Sequence, residues 1–218
     1  MGYNSCNVNG NVIEEYNRTQ PAYNGTAVRI RPYWTQPVVS KAMSYHLSFA
    51  HINFASDILR RHTLNLDLGS LNAYNFILPF DGAIQTGAYN KSDYFAPLRN
   101  LISLPEENRL VVVFAHLDED TDGTTVRQPD WLPFIIVDPI SDPMTLVHEL
   151  GHASRCAHVK DSIMEGCSSY SSYKNFHNIH AHEIYRSYWC TGPRPQNWSN
   201  RDPYNRGPYI WPPYDRPS

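Results

Sequence analysis

Hydrophobic residues in the first third of the chain follow two different periods. Residues 27–33 and 63–68 alternate apolar with polar or charged side chains, and the second run ends at Gly69, so each run predicts a β-strand. Residues 38–61 instead carry apolar side chains three and four positions apart and contain no Pro or Gly. Since Pro37 stands just before them, this run predicts one long helix. The pattern therefore predicts a strand, a long helix and a second strand.

Three further β-rich runs and two helical runs follow in the rest of the chain. Residues 110–115 and 134–138 are short and rich in Val and Ile, which predicts buried strands, and residues 124–127 predict a short strand between them. Residues 141–143 (Ser-Asp-Pro) predict the start of a helix, because Ser and Asp cap helices and Pro suits the first turn. Residues 176–189 also have helical spacing. This order predicts an α+β fold, in which helices pack against a twisted mixed sheet of about five strands.

The composition fits one folded domain and argues against two classes of partner. The chain has 218 residues, of which 41% are hydrophobic, so it can bury a core of its own. A net charge of −3 gives no electrostatic footprint for nucleic acid. Every apolar run is far shorter than the roughly 20 residues of a membrane-spanning helix, so we expect no membrane insertion. We expect an irregular leader at residues 1–26, one domain at residues 27–190 and a Pro- and Tyr-rich tail at residues 191–218.

The helix predicted after the Ser-Asp-Pro cap carries HELGH, the first part of the sequence HELGHASRCAH at residues 148–158. His148 and His152 are four positions apart, so a helix places both rings on one face, at a spacing that lets two imidazoles bind one zinc ion. Glu149 lies one step round the helix, where it can take a proton from a zinc-bound water as the general base. The helix supplies two ligands, so a third must come from elsewhere. These residues predict one catalytic zinc ion with an open position for substrate.

These residues resemble the active site of the metzincin metallopeptidases, whose pattern HExxHxxGxxH is followed by a turn that contains a methionine. His148, Glu149, His152 and His158 match the pattern position by position, and Met164, in the sequence DSIM, stands where the Met-turn would be. A helix cannot bring His158 to the other two histidines unless the chain turns between them. The resemblance implies that His158 is the third zinc ligand and that Met164 forms a hydrophobic base beneath the metal.

The resemblance also implies a fold and an activity. Residues 27–190 would form a zincin-type metallopeptidase domain, with a backing helix, an active-site helix and a C-terminal helix. The activity would be that of a zinc-dependent endopeptidase. If the site were instead like that of the gluzincin-type peptidases, the third ligand would be a Glu on a later helix, and Glu183 could take that part.

One position departs from the metzincin pattern. Arg155 stands where the family has a glycine that ends the helix in a left-handed turn. A residue with a side chain costs roughly 1–2 kcal/mol in that conformation, and zinc ligation can offset this cost. Alternatively, the turn has another shape, fixed by a disulfide between Cys156 and Cys167.

An acidic loop before the short strand offers a second metal site. Asp118, Asp120 and Asp122 alternate before Gly123, as in the first half of a calcium loop, and would bind Ca²⁺ if their side chains converge. An EF-hand would need a Glu where this chain has Pro129. A solvated acidic turn is the alternative.

The expected function is that of a zinc-dependent endopeptidase, with a protein or peptide substrate extended along an edge strand at residues 124–127. One alternative is an exported toxin or effector domain that uses the same site on a target-cell protein or on peptidoglycan peptides. Another is a non-catalytic zinc module with Cys156 as a fourth ligand. The N-terminal sequence MGYNSCNVNGN has no apolar signal-peptide core. A secreted or exported protein would then be a mature form, part of a longer chain, or exported by another route.

Overall fold

A computed structural model gives the fold of most of the predicted domain. It describes residues 23–70, 76–81, 84, 98, 102, 108–117, 121–127, 132–159, 162–165 and 175–191. The predicted calcium ligands Asp118 and Asp120 and the predicted disulfide partner Cys167 lie outside the described residues. So do almost all of the predicted leader and tail.

In the part of the chain that the structure describes, six strands form one mostly parallel sheet. They are β1 (Ala27–Thr35), β2 (Asn65–Asp67), β3 (Ile77–Leu78), β4 (Leu110–Phe114), β5 (Gly123–Val126) and β6 (Phe134–Val137). Five strands lie in the order β2-β1-β4-β6-β5, and β3 pairs with the end of β1. All pairs are parallel except that of β5 with β6, so β5 is an antiparallel edge strand. The predicted mixed sheet is confirmed in outline, and its mostly parallel pairing makes the fold a mixed α/β arrangement. The two-residue β3 is too brief for any alternation to predict it.

Within the described residues, four helices accompany the sheet: α1 (Gln36–Ser40), α2 (Ala42–Arg61), α3 (Met144–Ala153) and α4 (Asn178–Tyr185). The prediction of one helix over residues 38–61 is wrong near its start. Lys41 has an extended backbone (φ −105°, ψ 99°) that separates α1 from α2, and Val38 of α1 is buried in the core. α4 is shorter than the helical run at residues 176–189, because the chain continues in tight turns after Tyr185.

Both faces of the sheet are covered, which explains why β4 and β6 are apolar at every position. On one face, Val112 and Ile135 belong to the core cluster that also contains residues of α2 and α3. On the other face, Val111 and Ile136 pack in a second cluster that includes Leu98. α2 and α3 contact each other on the first face. The helix that carries HELGH therefore lies on the sheet beside the long backing helix.

Among the described helices, none combines the length and the hydropathy needed to cross a lipid bilayer.

Candidate metal centre

The helix α3 begins where the sequence predicts. The Asp142 side chain accepts a hydrogen bond from Met144 N at 2.8 Å, and the Asp142 carbonyl accepts one from Thr145 N at 2.8 Å. Asp142 thereby satisfies backbone N–H groups that the first turn leaves without helical partners. The start of the helix is thus determined locally, one turn before the first histidine.

α3 ends in a Schellman motif around Arg155. Arg155 N donates to His152 O at 2.8 Å, and Cys156 N donates to Gly151 O at 2.9 Å. Arg155 has φ 73°, in the left-handed region that favours glycine. The predicted left-handed turn is confirmed, although the residue is an arginine. The alternative of a disulfide from Cys156 to Cys167 is wrong, because Cys156 is a buried free thiol.

The chain then returns to α3 through a turn that contains Met164. Val159 N donates to Met164 O at 3.0 Å, while Ser162 Oγ donates to Val159 O at 2.8 Å and accepts from Met164 N at 3.0 Å. Met164 is fully buried, and a Cβ on Gly151 of α3 would lie 2.2 Å from its Sδ. The methionine therefore packs directly against the helix that carries two of the histidines, at a position where the helix has no side chain.

Three imidazoles converge beside α3. Nε2 of His152 lies 2.9 Å from Nε2 of His148 and 2.9 Å from Nε2 of His158. In the part of the chain that the structure describes, these three residues form the one group of His, Cys, Asp or Glu side chains whose ligand atoms are close enough to hold a metal ion. The turn after α3 thus brings His158 to the two helix histidines.

Protons alone do not satisfy this arrangement of nitrogens. Nδ1 of His148 lies 2.7 Å from the carbonyl of Ile163, so it is the protonated nitrogen, and Nε2 of the neutral ring keeps its lone pair. Nε2 of His152 faces two other ring nitrogens at 2.9 Å, yet one N–H bond can point at only one of them. Hydrogen bonding therefore leaves one close pair of nitrogens without a proton between them. A cation bound by all three lone pairs removes this conflict, so the donor set fits a metal ion.

Burial keeps the three histidines in the neutral form that binds metals. It lowers the pKa of His148, against the opposing effect of the hydrogen bond with Ile163. Burial also lowers the pKa of His152 well below its usual value, and the charges of His148, His158 and Arg127 add to this effect. The pKa of His158 is lowered by burial and then by the charge of His148. The unprotonated nitrogens needed for metal binding are thus available at neutral pH.

The Glu149 carboxylate is held by the edge strand. Thr125 Oγ1, on β5, lies 2.7 Å from Glu149 Oε2 and 2.9 Å from the Glu149 carbonyl oxygen. Glu149 is 7% exposed, so its carboxylate is largely removed from solvent. The sequence predicts this strand but not the role of Thr125. The two residues are 24 positions apart, and a threonine in a short strand is too common to indicate such a contact.

The other predicted site residues lie apart from the three histidines. Glu183 is half-buried on α4, where its charge acts on Cys156, and it does not belong to the metal-binding group. The Sγ of Cys156 lies 3.7 Å from the carbonyl of His180. Asp122 is exposed, and its carbonyl accepts a hydrogen bond from Asp138 N at 2.9 Å. The other two calcium-loop residues lie outside the described residues.

The chain matches no protein-family model, and a comparison with curated proteins gives no match either. Its function therefore has to be argued from the chemistry of the site.

Proposed function

We propose that the chain is a zinc-dependent hydrolase of peptide bonds with a metzincin-like site. The observation that carries the proposal is the convergence of His148, His152 and His158 beside a helix that also carries Glu149. Imidazole ligands suit zinc and several other transition metals. Three protein ligands leave a coordination position for substrate, whereas structural zinc sites are closed by four. A buried carboxylate next to the first ligand supports a catalytic site.

The chemistry divides between the metal and the chain. A zinc ion bound by the three histidines would polarise the substrate carbonyl and lower the pKa of a water ligand toward about 7. Glu149 takes a proton from the attacking water as the general base. The water oxygen bonds to the carbonyl carbon, the C–N bond breaks, and Glu149 passes the proton to the leaving nitrogen. One water molecule is consumed for each peptide bond.

The contacts around the ligands support a site that is organised before substrate binds. The Ile163 carbonyl, 2.7 Å from Nδ1 of His148, selects the tautomer and the ring orientation of that ligand. Met164 is fully buried against Gly151 and supports α3 from beneath. Neither contact requires the substrate, so the ligand geometry does not have to be assembled during catalysis.

The edge strand supports a polypeptide as the substrate. β5 pairs with β6 along one side and, within the described residues, pairs with no strand along the other. An extended peptide can add to such an edge through main-chain hydrogen bonds. Because Thr125 of β5 contacts Glu149, a peptide bound along β5 would pass close to the general base.

A non-catalytic zinc module is less well supported. It would need a fourth protein ligand, and the predicted candidate, Cys156, directs its Sγ toward the His180 carbonyl. An exported effector that acts on a target-cell protein or on peptidoglycan peptides would use the same site. That alternative differs only in the substrate, so the test includes both kinds.

The test measures zinc per chain by elemental analysis and cleavage of an unfolded protein and of peptidoglycan stem peptides. The variants are His158→Ala, Glu183→Ala and Glu149→Gln, with the exposed His46→Ala on α2 as the control. We expect one zinc per chain in every protein except His158→Ala. We expect Glu149→Gln to keep zinc and to lose about 10²- to 10⁴-fold in rate, the usual contribution of a general base.

Two results would contradict the proposal. Zinc lost in Glu183→Ala and kept in His158→Ala would make the site gluzincin-like. A parent protein that binds no zinc after purification with zinc present would exclude a zinc hydrolase.

A further inference from the structure

The strand β5 approaches the helix α3 more closely than side chains would normally allow. Gly123 and Thr125 are two positions apart on β5 and therefore face the same side of the sheet. A Cβ on Gly123 would lie 2.5 Å from Cγ2 of Thr145 and 3.3 Å from Cγ of Glu149. The missing side chain lets α3 lie close to the strand, so the hydroxyl of Thr125 reaches Glu149.

The Thr125 hydroxyl faces two acceptors of the same residue. Its Oγ1 lies 2.7 Å from Glu149 Oε2 and 2.9 Å from the Glu149 carbonyl oxygen. A hydroxyl has one proton to donate and lone pairs with which to accept. It therefore donates to one of the two oxygens at a time.

We propose that Thr125 is a positioning residue for Glu149, an inference that rests on the peptide hydrolysis proposed above. While Glu149 is ionised, the hydroxyl donates to Oε2, and Oε1 takes the proton from water. When Oε1 carries the proton, Oε2 is still an acceptor and keeps the same hydrogen bond from Thr125. The side chain therefore does not have to reorient between the two proton transfers.

Loss of the hydroxyl should affect the chemical step more than substrate or metal binding. Without it, Oε2 loses a charge-assisted hydrogen bond in a place where solvent can hardly replace it. Changes to such supporting contacts typically cost 10- to 100-fold in activity, so we expect kcat to fall about 10- to 100-fold. KM and the zinc content should stay near the parent values, because Thr125 contacts the base and not a zinc ligand.

The experiment compares Thr125→Val, which removes the hydroxyl, with Thr125→Ser, which keeps it. Thr35→Val is the matched control: it is a buried threonine of the same sheet, on β1, whose hydroxyl lies 3.4 Å from the Phe114 carbonyl. Each full-length, zinc-loaded protein is assayed for zinc content, kcat and KM. A second readout is the ¹³C signal of the Glu149 carboxyl carbon in protein labelled at glutamate Cδ, assigned by its absence in Glu149→Gln. Thr125→Ala replaces the valine variant if that one does not fold.

In Thr125→Val we expect a low kcat and a changed ¹³C chemical shift of the Glu149 carboxyl carbon. In Thr125→Ser and Thr35→Val, we expect the kcat and the chemical shift to stay near the parent values. An active parent whose kcat is unchanged in Thr125→Val overturns the positioning role. A carboxyl signal that stays in place in Thr125→Val overturns the contact itself, whether or not the parent cleaves peptides. A parent that binds zinc but cleaves no peptide overturns the proposed function and the catalytic role of Thr125 with it, while the carboxyl signal still decides the contact.

Discussion

Glycine at position 155 should make the protein more stable than alanine there, because the end of α3 already has a glycine-like backbone. Arg155 occupies the left-handed position of a Schellman motif, with φ 73°. Its N–H bonds to the His152 carbonyl, and the next N–H bonds to the Gly151 carbonyl. Glycine forms the same two hydrogen bonds and has no Cβ to clash in this conformation. The substitution therefore leaves the turn intact and removes its strain.

The size of the effect follows from two opposing contributions. A residue with a Cβ costs roughly 1–2 kcal/mol in the left-handed region. Glycine loses more backbone entropy on folding than other residues, by roughly 0.5–1 kcal/mol. The difference predicts that the free energy of unfolding of Arg155→Gly is about 0.5–1 kcal/mol higher than that of Arg155→Ala, which keeps the Cβ. For a domain of this size that corresponds to a difference in Tm of about 1–4 °C.

The assay is urea unfolding of zinc-loaded protein, followed by circular dichroism, with calorimetry for Tm. Arg155→Ala is the matched control, because it removes the guanidinium but keeps the Cβ. Any contribution from guanidinium contacts is the same in both variants, so their difference isolates the backbone effect. We expect Arg155→Gly to be more stable than Arg155→Ala by this net difference of about 0.5–1 kcal/mol.

Equal stability of Arg155→Gly and Arg155→Ala would refute the assignment of a strained left-handed turn. A second site offers an independent check, since α2 also ends in a Schellman motif. There Thr63 has φ 58°, Thr63 N bonds to Arg60 O at 2.9 Å, and Leu64 N bonds to Leu59 O at 3.0 Å. Thr63 Oγ1 additionally accepts a hydrogen bond from Tyr23 N at 2.7 Å. Thr63→Gly loses this bond, so it should gain less than Arg155→Gly.

Three further predictions concern packing, metal binding and pH. Gly151→Ala should lower the free energy of unfolding by about 1–3 kcal/mol, because the new Cβ overlaps Met164. In a Met164→Ala background the same substitution should lower the free energy of unfolding by less. If urea titrations show that the two substitutions have additive effects on the free energy of unfolding, the contact is contradicted. Removal of zinc by a chelator should lower the Tm measured by calorimetry. Zinc added at about 1,000 times its Kd should raise the free energy of unfolding by roughly 4 kcal/mol. In His158→Ala, added zinc should leave the Tm unchanged. Burial lowers the pKa of His51, so below the unfolded-state value of 6.5 the unfolded chain binds more protons and stability falls as the pH falls. In zinc-free protein the loss of stability below pH 6.5 should be smaller in His51→Gln than in the parent, and parallel curves of unfolding free energy against pH would contradict this.

The predictions that agree with the structure depend mainly on residues close in sequence. The cap at Asp142 and the left-handed turn at Arg155 each involve backbone groups within a few positions. The unbroken run of apolar residues in β4 indicates that both faces of the strand are buried, although it does not indicate which elements cover them. The helix prediction over residues 38–61 is wrong at Lys41, because the side-chain spacing continues through a backbone break there.

The contacts that organise the site depend on residues far apart in sequence. Thr125 reaches Glu149 only because β5 lies next to α3 in the fold. The Ile163 carbonyl meets the ring of His148 through a turn whose path no local pattern determines. A main-chain carbonyl also has no signature in the sequence, because every residue has one.

The amino-acid sequence is enough to identify the chemical groups of the site: two histidines and a glutamate at helical spacing, a third histidine beyond the helix, and a methionine after it. These follow from side-chain identity and from the period of the helix, which are local properties. The fold determines that His158, and not Glu183, joins the two helix histidines, and that an edge-strand hydroxyl contacts the carboxylate. Ligand convergence and hydrogen bonding require distances of a few ångströms, and those distances depend on how the sheet packs against α3.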